Sequence, residues 1–408
     1  MSRKKLLVLG ASYSQIPLFK AASRLDVETY AVTVPGPYQG IRYADHVVYA
    51  DITKPEEVLE AVRGIGADAV TTCCMDVGTR TLGYLCDALS LPGPGMTAAE
   101  GARDKSLQKK IFRENQIPTA PYAMVHDEKE LEDAIEKIGF PMMIKAVDLM
   151  GSRGIFRADD PDQARHYFRL SMVETQKPYC IAEKFLQGVM FGVEGMINPD
   201  QSPAFILPLG NDLHDGNPPF PQGHHVPWEK AGQLMDQIRD MVLKTASALD
   251  FRSCAFDMDC MYADGVCYVI ETTPRCGATG IADTVSLYYG IDYFEAIVRC
   301  ALGEDVSHMF RAQEEGTVTA NASWLLSAPA DGILTSVRIP ESLPDSVTDL
   351  TFNVKPGDRV RRMQNGRDRI GQIIVKGKDP LECRRTIKAV LDEVIIEVTE
   401  DHEKKTGG

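Results

Sequence analysis

Apolar runs long enough to cross a bilayer, about 20 residues, are missing from this 408-residue chain, which argues against membrane-spanning helices. The opening Met-Ser-Arg-Lys-Lys precedes only four apolar residues, Leu6 to Leu9, before Gly10, so it reads as the lead into a first strand and not as a signal peptide. A basic excess is missing too. Lys and Arg number 44 against 58 Asp and Glu, a formal net charge of -14. Nucleic acids and anionic membranes are held non-specifically by surplus cations, so neither is an expected partner. Disulfide-scaffold spacing is absent, and the ten cysteines are expected as free thiols in a reducing compartment, by default the cytoplasm. The adjacent Cys73 and Cys74 have no second pair at zinc-ligand spacing and read as small buried hydrophobes. Internal repeats, low-complexity segments and a full G-x-G-x-x-G fingerprint are also lacking, so the turn Gly10-Ala11-Ser12-Tyr13-Ser14 reads as an ordinary strand-to-helix turn and not a dinucleotide site.

What is present is a soluble globular composition, 44% hydrophobic and 25% charged, over a length that suits two to four domains. In the first hundred residues strands (6–9, 27–34, 69–72) alternate with helices (about 15–25 and 55–62), the signature of βαβ units and a parallel sheet. Pro92-Gly93-Pro94-Gly95 marks an exit, giving a boundary near residue 100. A helix near 105–115, a strand at 122–125, a helix at 128–138 and an apolar strand at 142–144 open a middle section that runs to about 312. The proline-rich stretch from Pro208 to Trp228 is expected to be a long functional loop. Beyond 313 the chain is strand-like, with segments at 317–326, 332–339 and 367–376, then a helix near 380–393 and a charged tail.

Lys145 ends an apolar strand, and Met150-Gly151-Ser152-Arg153-Gly154 follows five residues later. Glycines let backbone N–H groups approach an anion while the lysine fixes a positive charge beside it, a credible phosphate cradle. Cys180 to Gly188 then reads as a strand ending in Glu183. In this order of parts the chain resembles the ATP-grasp superfamily, in which an early lysine, a strand lysine, a glycine-rich flap, a Glu-x-x-Leu hinge and two metal-binding acids follow one another. The resemblance implies that Lys105 and Lys145 contact ATP phosphates, that Gly151, Ser152, Arg153 and Gly154 form the flap, and that Glu183, Lys184, Phe185 and Leu186 line the adenine. Met190 departs from the pattern, since many relatives carry a ribose-binding acid there.

Asp264-Gly265 is a hairpin signal between two β-rich runs, and it brings Glu271 onto the face shared by Asp257 and Asp259. Carboxylates so grouped repel one another unless a cation intervenes, and hard oxygen ligands suit Mg²⁺ held jointly with phosphates. The resemblance selects Asp259 and Glu271 as ligands, with Thr273 where relatives usually have asparagine, and Mn²⁺ as a substitute metal. It also sets Arg275 against the γ-phosphate and the carboxylate being activated, a fork suited to an acyl phosphate. His224 and His225 are substrate candidates by the same comparison, and Ser12 could hold a substrate phosphate. Cys276 reads as a packing residue.

The fold class implied is a multidomain α/β and α+β chain. Residues 1–100 form a Rossmann-like pre-ATP-grasp domain, 101–312 an ATP-grasp body with a flap subdomain at about 122–187, and 313–408 a small β-rich C-terminal domain. The activity implied is ATP-dependent carboxylate–amine ligation through an acyl phosphate, nearest the group of amino-acid ligases, biotin carboxylases and carbamoyl phosphate synthetases. No biotinyl-lysine context is found. A purine-pathway ligase of the phosphoribosylglycinamide synthetase type and a non-catalytic ATP sensor are the alternatives. Many relatives are homodimers, and nothing in the sequence contradicts that assembly.

Overall fold

Four consecutive fully buried residues, Leu6 to Leu9, can form a strand only if both faces of its sheet are covered. A computed structural model describes residues 3–149 and 154–399 and shows that arrangement. Strands β1 (Lys5–Leu9), β2 (Glu28–Thr33), β3 (His46–Tyr49) and β4 (Ala69–Thr71) form a parallel sheet in the order β3-β2-β1-β4. Leu7 and Leu9 pack towards helices Pro55–Val62 and Thr79–Leu89, while Leu6 and Val8 pack towards helix Ile16–Arg24 and two later helices, Ile281–Tyr289 and Tyr293–Ala301. β3, short and with none of its residues fully buried, is absent from the sequence reading.

The next unit is an antiparallel sheet of β5 (Tyr122–Val125), β6 (Met142–Ala146), β7 (Ile155–Ala158) and β8 (Cys180–Lys184), in the order β5-β8-β6-β7. Its helices, Glu128–Ile138 and Pro161–Glu174, start at aspartates whose side chains accept from backbone N–H groups: Asp127 from Glu130 and Asp160 from Gln163.

The largest sheet has eight strands. β9 (Val189–Ile197), β10 (Pro203–His214), β11 (Phe220–Val226), β12 (Cys254–Ala263) and β13 (Val266–Thr273) are joined by β14 (Ala320–Leu326), β16 (Val347–Phe352) and β18 (Gly371–Gly377) in the order β13-β12-β9-β10-β11-β14-β18-β16. β15 (Gly332–Arg338), β17 (Arg359–Val360) and β19 (Ile395–Thr399) form a separate three-stranded sheet. Strands from both sides of residue 312 therefore share one hydrogen-bonded ladder. β11 pairs with β14 through His224 and Ser323.

The stretch 208–228 is corrected by this sheet. It is no long loop but the second half of β10, a short turn and β11, paired from Gly210 opposite His225 to His214 opposite Phe220. Pro208 and Pro221 occupy strand positions, and only Pro218 and Pro219 fall in the turn, so proline content misleads here. Among the described residues, no helix is long and apolar enough to cross a membrane.

Candidate functional site

Helix Lys105–Glu114 begins at Asp104, whose carboxylate accepts from the backbone of Ser106 and Leu107. This cap directs Lys105, the first helical residue, across to β13, where its Nζ lies 2.7 Å from Glu271 Oε2 and also donates to the Leu149 carbonyl at 3.2 Å. Burial disfavours the Lys105 ammonium, but Glu271 outweighs it and carries the group above its ordinary value. Lys145 on β6 donates to Glu183 Oε2 on β8 at 3.0 Å. Burial alone would push the Glu183 carboxyl up; Lys109 and Lys145 together hold it below the usual range.

β12 and β13 settle the register of the acids. Asp259 faces Glu271 directly and Asp257 faces Thr273. Burial, with Asp257 and Glu271 close by, drives the Asp259 carboxyl well above its ordinary value. Glu271 is paired with Lys105 while Asp259 has no cation of its own within ion-pair distance among the described residues, and two neighbouring carboxylates suit Mg²⁺, which commonly keeps water and substrate phosphates as its other ligands. Among the described residues, no cluster of three or more His, Cys, Asp or Glu closes on a metal position. Thr273 turns its hydroxyl towards Asp76, donating at 3.4 Å.

Lys105, Lys145, Asp259 and Glu271 line a cleft of about 520 Å³, whose floor continues through Glu183, Lys184, Phe185 and Leu186. The Lys184 and Phe185 amides are used by the carbonyls of Pro121 and Pro141, after which the chain leaves the sheet. The Arg157 guanidinium lies 4.5 Å from the centre of the Phe185 ring, and Met190, opposite Met261, adds to an apolar wall. Gly151, Ser152 and Arg153 lie outside the described residues. Gly154 has a φ of +61°, and a Cβ there would come within 2.8 Å of the Ala146 Cβ, so both backbone and space call for glycine.

Arg275 lies beyond the cleft, locked between two carboxylates. It donates through Nε to Asp76 Oδ1 at 2.7 Å and through Nη1 to Asp257 Oδ2 at 3.0 Å. Burial opposes its charge, yet Asp76 and Asp257 carry its pKa above the ordinary value. The segment after it is anchored by Glu194, fully buried, which accepts from Gly277 N at 3.0 Å and from the Tyr293 hydroxyl at 2.6 Å. Cys276 packs with its Sγ 3.8 Å from that of Cys74.

The substrate candidates separate. His224 lies 2.9 Å from Asn211 Oδ1 and 3.3 Å from the Thr279 hydroxyl, four residues after Arg275. His225, on the other face of β11, joins Asp212, Glu229 and Arg384 in a network that ties the strand to helix Pro380–Glu393. The Ser12 amide and hydroxyl both donate to Gln15 Oε1, and Gln15 donates to the Cys73 carbonyl, so this turn is fastened to the end of β4. Three residues that hold the site's side chains in place are absent from the sequence reading: Asp76, Lys109 and Glu194. Asp76 follows the carboxyl end of a parallel strand, where such sheets place ligands, and Lys109 follows Lys105 by one helical turn.

The whole chain matches a crystal structure of phosphoribosylglycinamide synthetase from Anaerococcus prevotii at 30% identity, covering 98% of this chain and 100% of that one, with a TM-score of 0.81. The chain belongs to the ATP-grasp superfamily. Within this ATP-grasp chain, residues 103–213 match the phosphoribosylglycinamide synthetase ATP-grasp (A) domain, and residues 324–399 match the L-amino acid ligase C-terminal domain 2. An L-amino acid ligase from Bacillus licheniformis shares the fold, with a TM-score of 0.81 over 98% of this chain and 100% of that one at 19% identity. A D-alanine–D-alanine ligase from Thermoanaerobacter sp. (strain X514) is 27% identical over 217 residues, 50% of this chain. The match spans only 60% of that ligase's length.

Proposed function

We propose that this ATP-grasp protein is an ATP-dependent carboxylate–amine ligase acting on an amino acid or other small carboxylate. The observation that carries the reading is the assembly of Lys105, Lys145, Asp259 and Glu271 on one cleft, with Arg275 fixed beyond it. ATP would lie with its adenine along the backbone from Glu183 to Leu186 and its phosphates towards the two lysines. Asp259 and Glu271, with Thr273 nearby, would hold Mg²⁺, or Mn²⁺ in its place. When bound, the metal supplies positive charge that offsets the phosphate oxygens.

In the first step a carboxylate oxygen of the substrate forms a bond to the γ-phosphorus while the bond to the β-phosphate oxygen breaks, giving an acyl phosphate and ADP. The amine nitrogen then bonds to the acyl carbon, inorganic phosphate departs with the former carboxylate oxygen, and the amine proton passes to solvent. Lys105, Lys145 and Arg275 act by position and charge, which is the main contribution a protein can make to phosphoryl transfer. His224 and Gly151 to Gly154 belong to the same reading, as acceptor-side and flap residues.

A second reading, a purine-pathway ligase of the phosphoribosylglycinamide synthetase type, draws on the full-length 30% identity and the match over 103–213. The ten cysteines are all free thiols, which supports a reducing compartment such as the cytoplasm. The test is phosphate release from Mg-ATP across pairs of amino acids and small carboxylates, with glycine plus an amino sugar phosphate included and products identified by mass spectrometry. Release that requires one pair and yields its condensed product is the expected result. ATP bound without release across the whole panel would instead favour a sensor.

A further inference from the structure

The proposed chemistry leaves one buried charge without a task. Lys109, on helix Lys105–Glu114, is 2% exposed and does not line the cleft. Its Nζ lies 3.1 Å from Glu183 Oε1 and donates to the Thr119 hydroxyl at 2.6 Å, and that hydroxyl donates to the Val269 carbonyl on β13 at 3.0 Å. Lys145 takes the other oxygen of Glu183. One carboxylate therefore serves two ammoniums, while the neighbouring Lys105–Glu271 pair is balanced. Buried ions are tolerated when paired, so this trio carries a surplus positive charge that an anion would neutralise. Of the two lysines, only Lys145 reaches the cleft.

We infer that Lys109 is a positioning residue for nucleotide: by occupying one oxygen of Glu183 it keeps Lys145 short of a full counter-charge, so that the Lys145 ammonium meets the phosphates with donors and charge to spare. The inference rests on the nucleotide reading above and assigns a role to a residue outside the binding surface. The groups facing Lys109 are Glu183 from β8, Lys145 from β6 and Glu271 from β13. Burial first, and Lys145 after it, push the Lys109 ammonium down to about 8, against the pull of the two glutamates.

The experiment is calorimetric titration of Mg-ADP into the full-length wild type, Lys109→Met and Lys109→Arg, with melting temperatures recorded without nucleotide. Lys109→Met leaves Glu183 and Lys145 as a balanced pair. Measured well below the melting temperature, it should bind Mg-ADP at least about tenfold more weakly, the effect of weakening a charged hydrogen bond, and it should melt somewhat lower than wild type, because one oxygen of buried Glu183 loses its donor. Lys109→Arg should bind close to the wild-type value. Equal binding by Lys109→Met and wild type overturns the inference. So does a Lys109→Arg that binds as weakly as Lys109→Met, since restoring the charge should restore the affinity. A wild type that binds no Mg-ADP overturns the nucleotide reading and the inference with it.

Discussion

A planar guanidinium gripped by Asp76 on one side and Asp257 on the other has a fixed orientation that a lysine cannot reproduce. Arg275→Lys is expected to lower ligase turnover by about a hundredfold or more while Mg-ADP affinity changes little, which steady-state kinetics and calorimetry would separate. His224 gives a second residue-scale expectation. Burial, with His225 adding to it, pushes its pKa down to about 4. An unfolded chain protonates this histidine near its ordinary value of about 6.5, whereas the folded chain takes up the proton only near 4. Stability should therefore fall as pH drops from 6.5 to 4, by about 3 kcal/mol from this group. His224→Gln should flatten that part of the curve in urea denaturation at a series of pH values.

At the scale of elements, one helix organises β13, the strand that carries Glu271. β13 stands at the end of the eight-stranded sheet with β12 as its only strand neighbour. On its open side Gln108 behaves as a piece of an extra strand, donating to the Thr272 carbonyl at 2.8 Å and accepting from the Thr272 amide at 3.1 Å. Gln108→Leu would strand both buried backbone groups, and denaturant unfolding should show a loss of about 2–4 kcal/mol, with weaker nucleotide binding as Glu271 loses its register. Such ties are not legible in a sequence, because they join residues 164 apart. Local pattern is legible: the strand at Tyr122–Val125 and the helices Pro55–Val62 and Glu128–Ile138 follow from apolar spacing and aspartate or proline starts. The hairpin at Asp264-Gly265 is legible too, but the parity argument leaves Glu271 opposite either Asp257 or Asp259; a register shift between Asp259 and Cys260, which no local pattern announces, sets it opposite Asp259. Asp76 and Glu194 escaped because their meaning comes from Arg275 and Gly277 arriving from another part of the chain.

At the scale of the whole molecule, the amino-terminal sheet has no private core on one side. Leu6, Val8 and Phe19 share a cluster with Ile281, Val285, Tyr293 and Ile297 from the body. Independent domains would melt separately, but this shared interior predicts a single calorimetric transition covering both, with van't Hoff and calorimetric enthalpies in agreement; two resolved peaks would contradict it. The ladder joining β11 to β14 has a different consequence. The carboxy-terminal segment matching an L-amino acid ligase domain, 324–399, looks like a detachable cassette when written as a line of residues. In space its strands complete a sheet begun more than a hundred positions earlier, so a chimera spliced near 312 would hand each parent a foreign seam to stitch. Substrate range in such proteins is thus better diversified by changing side chains in place than by grafting the tail of one relative onto the body of another.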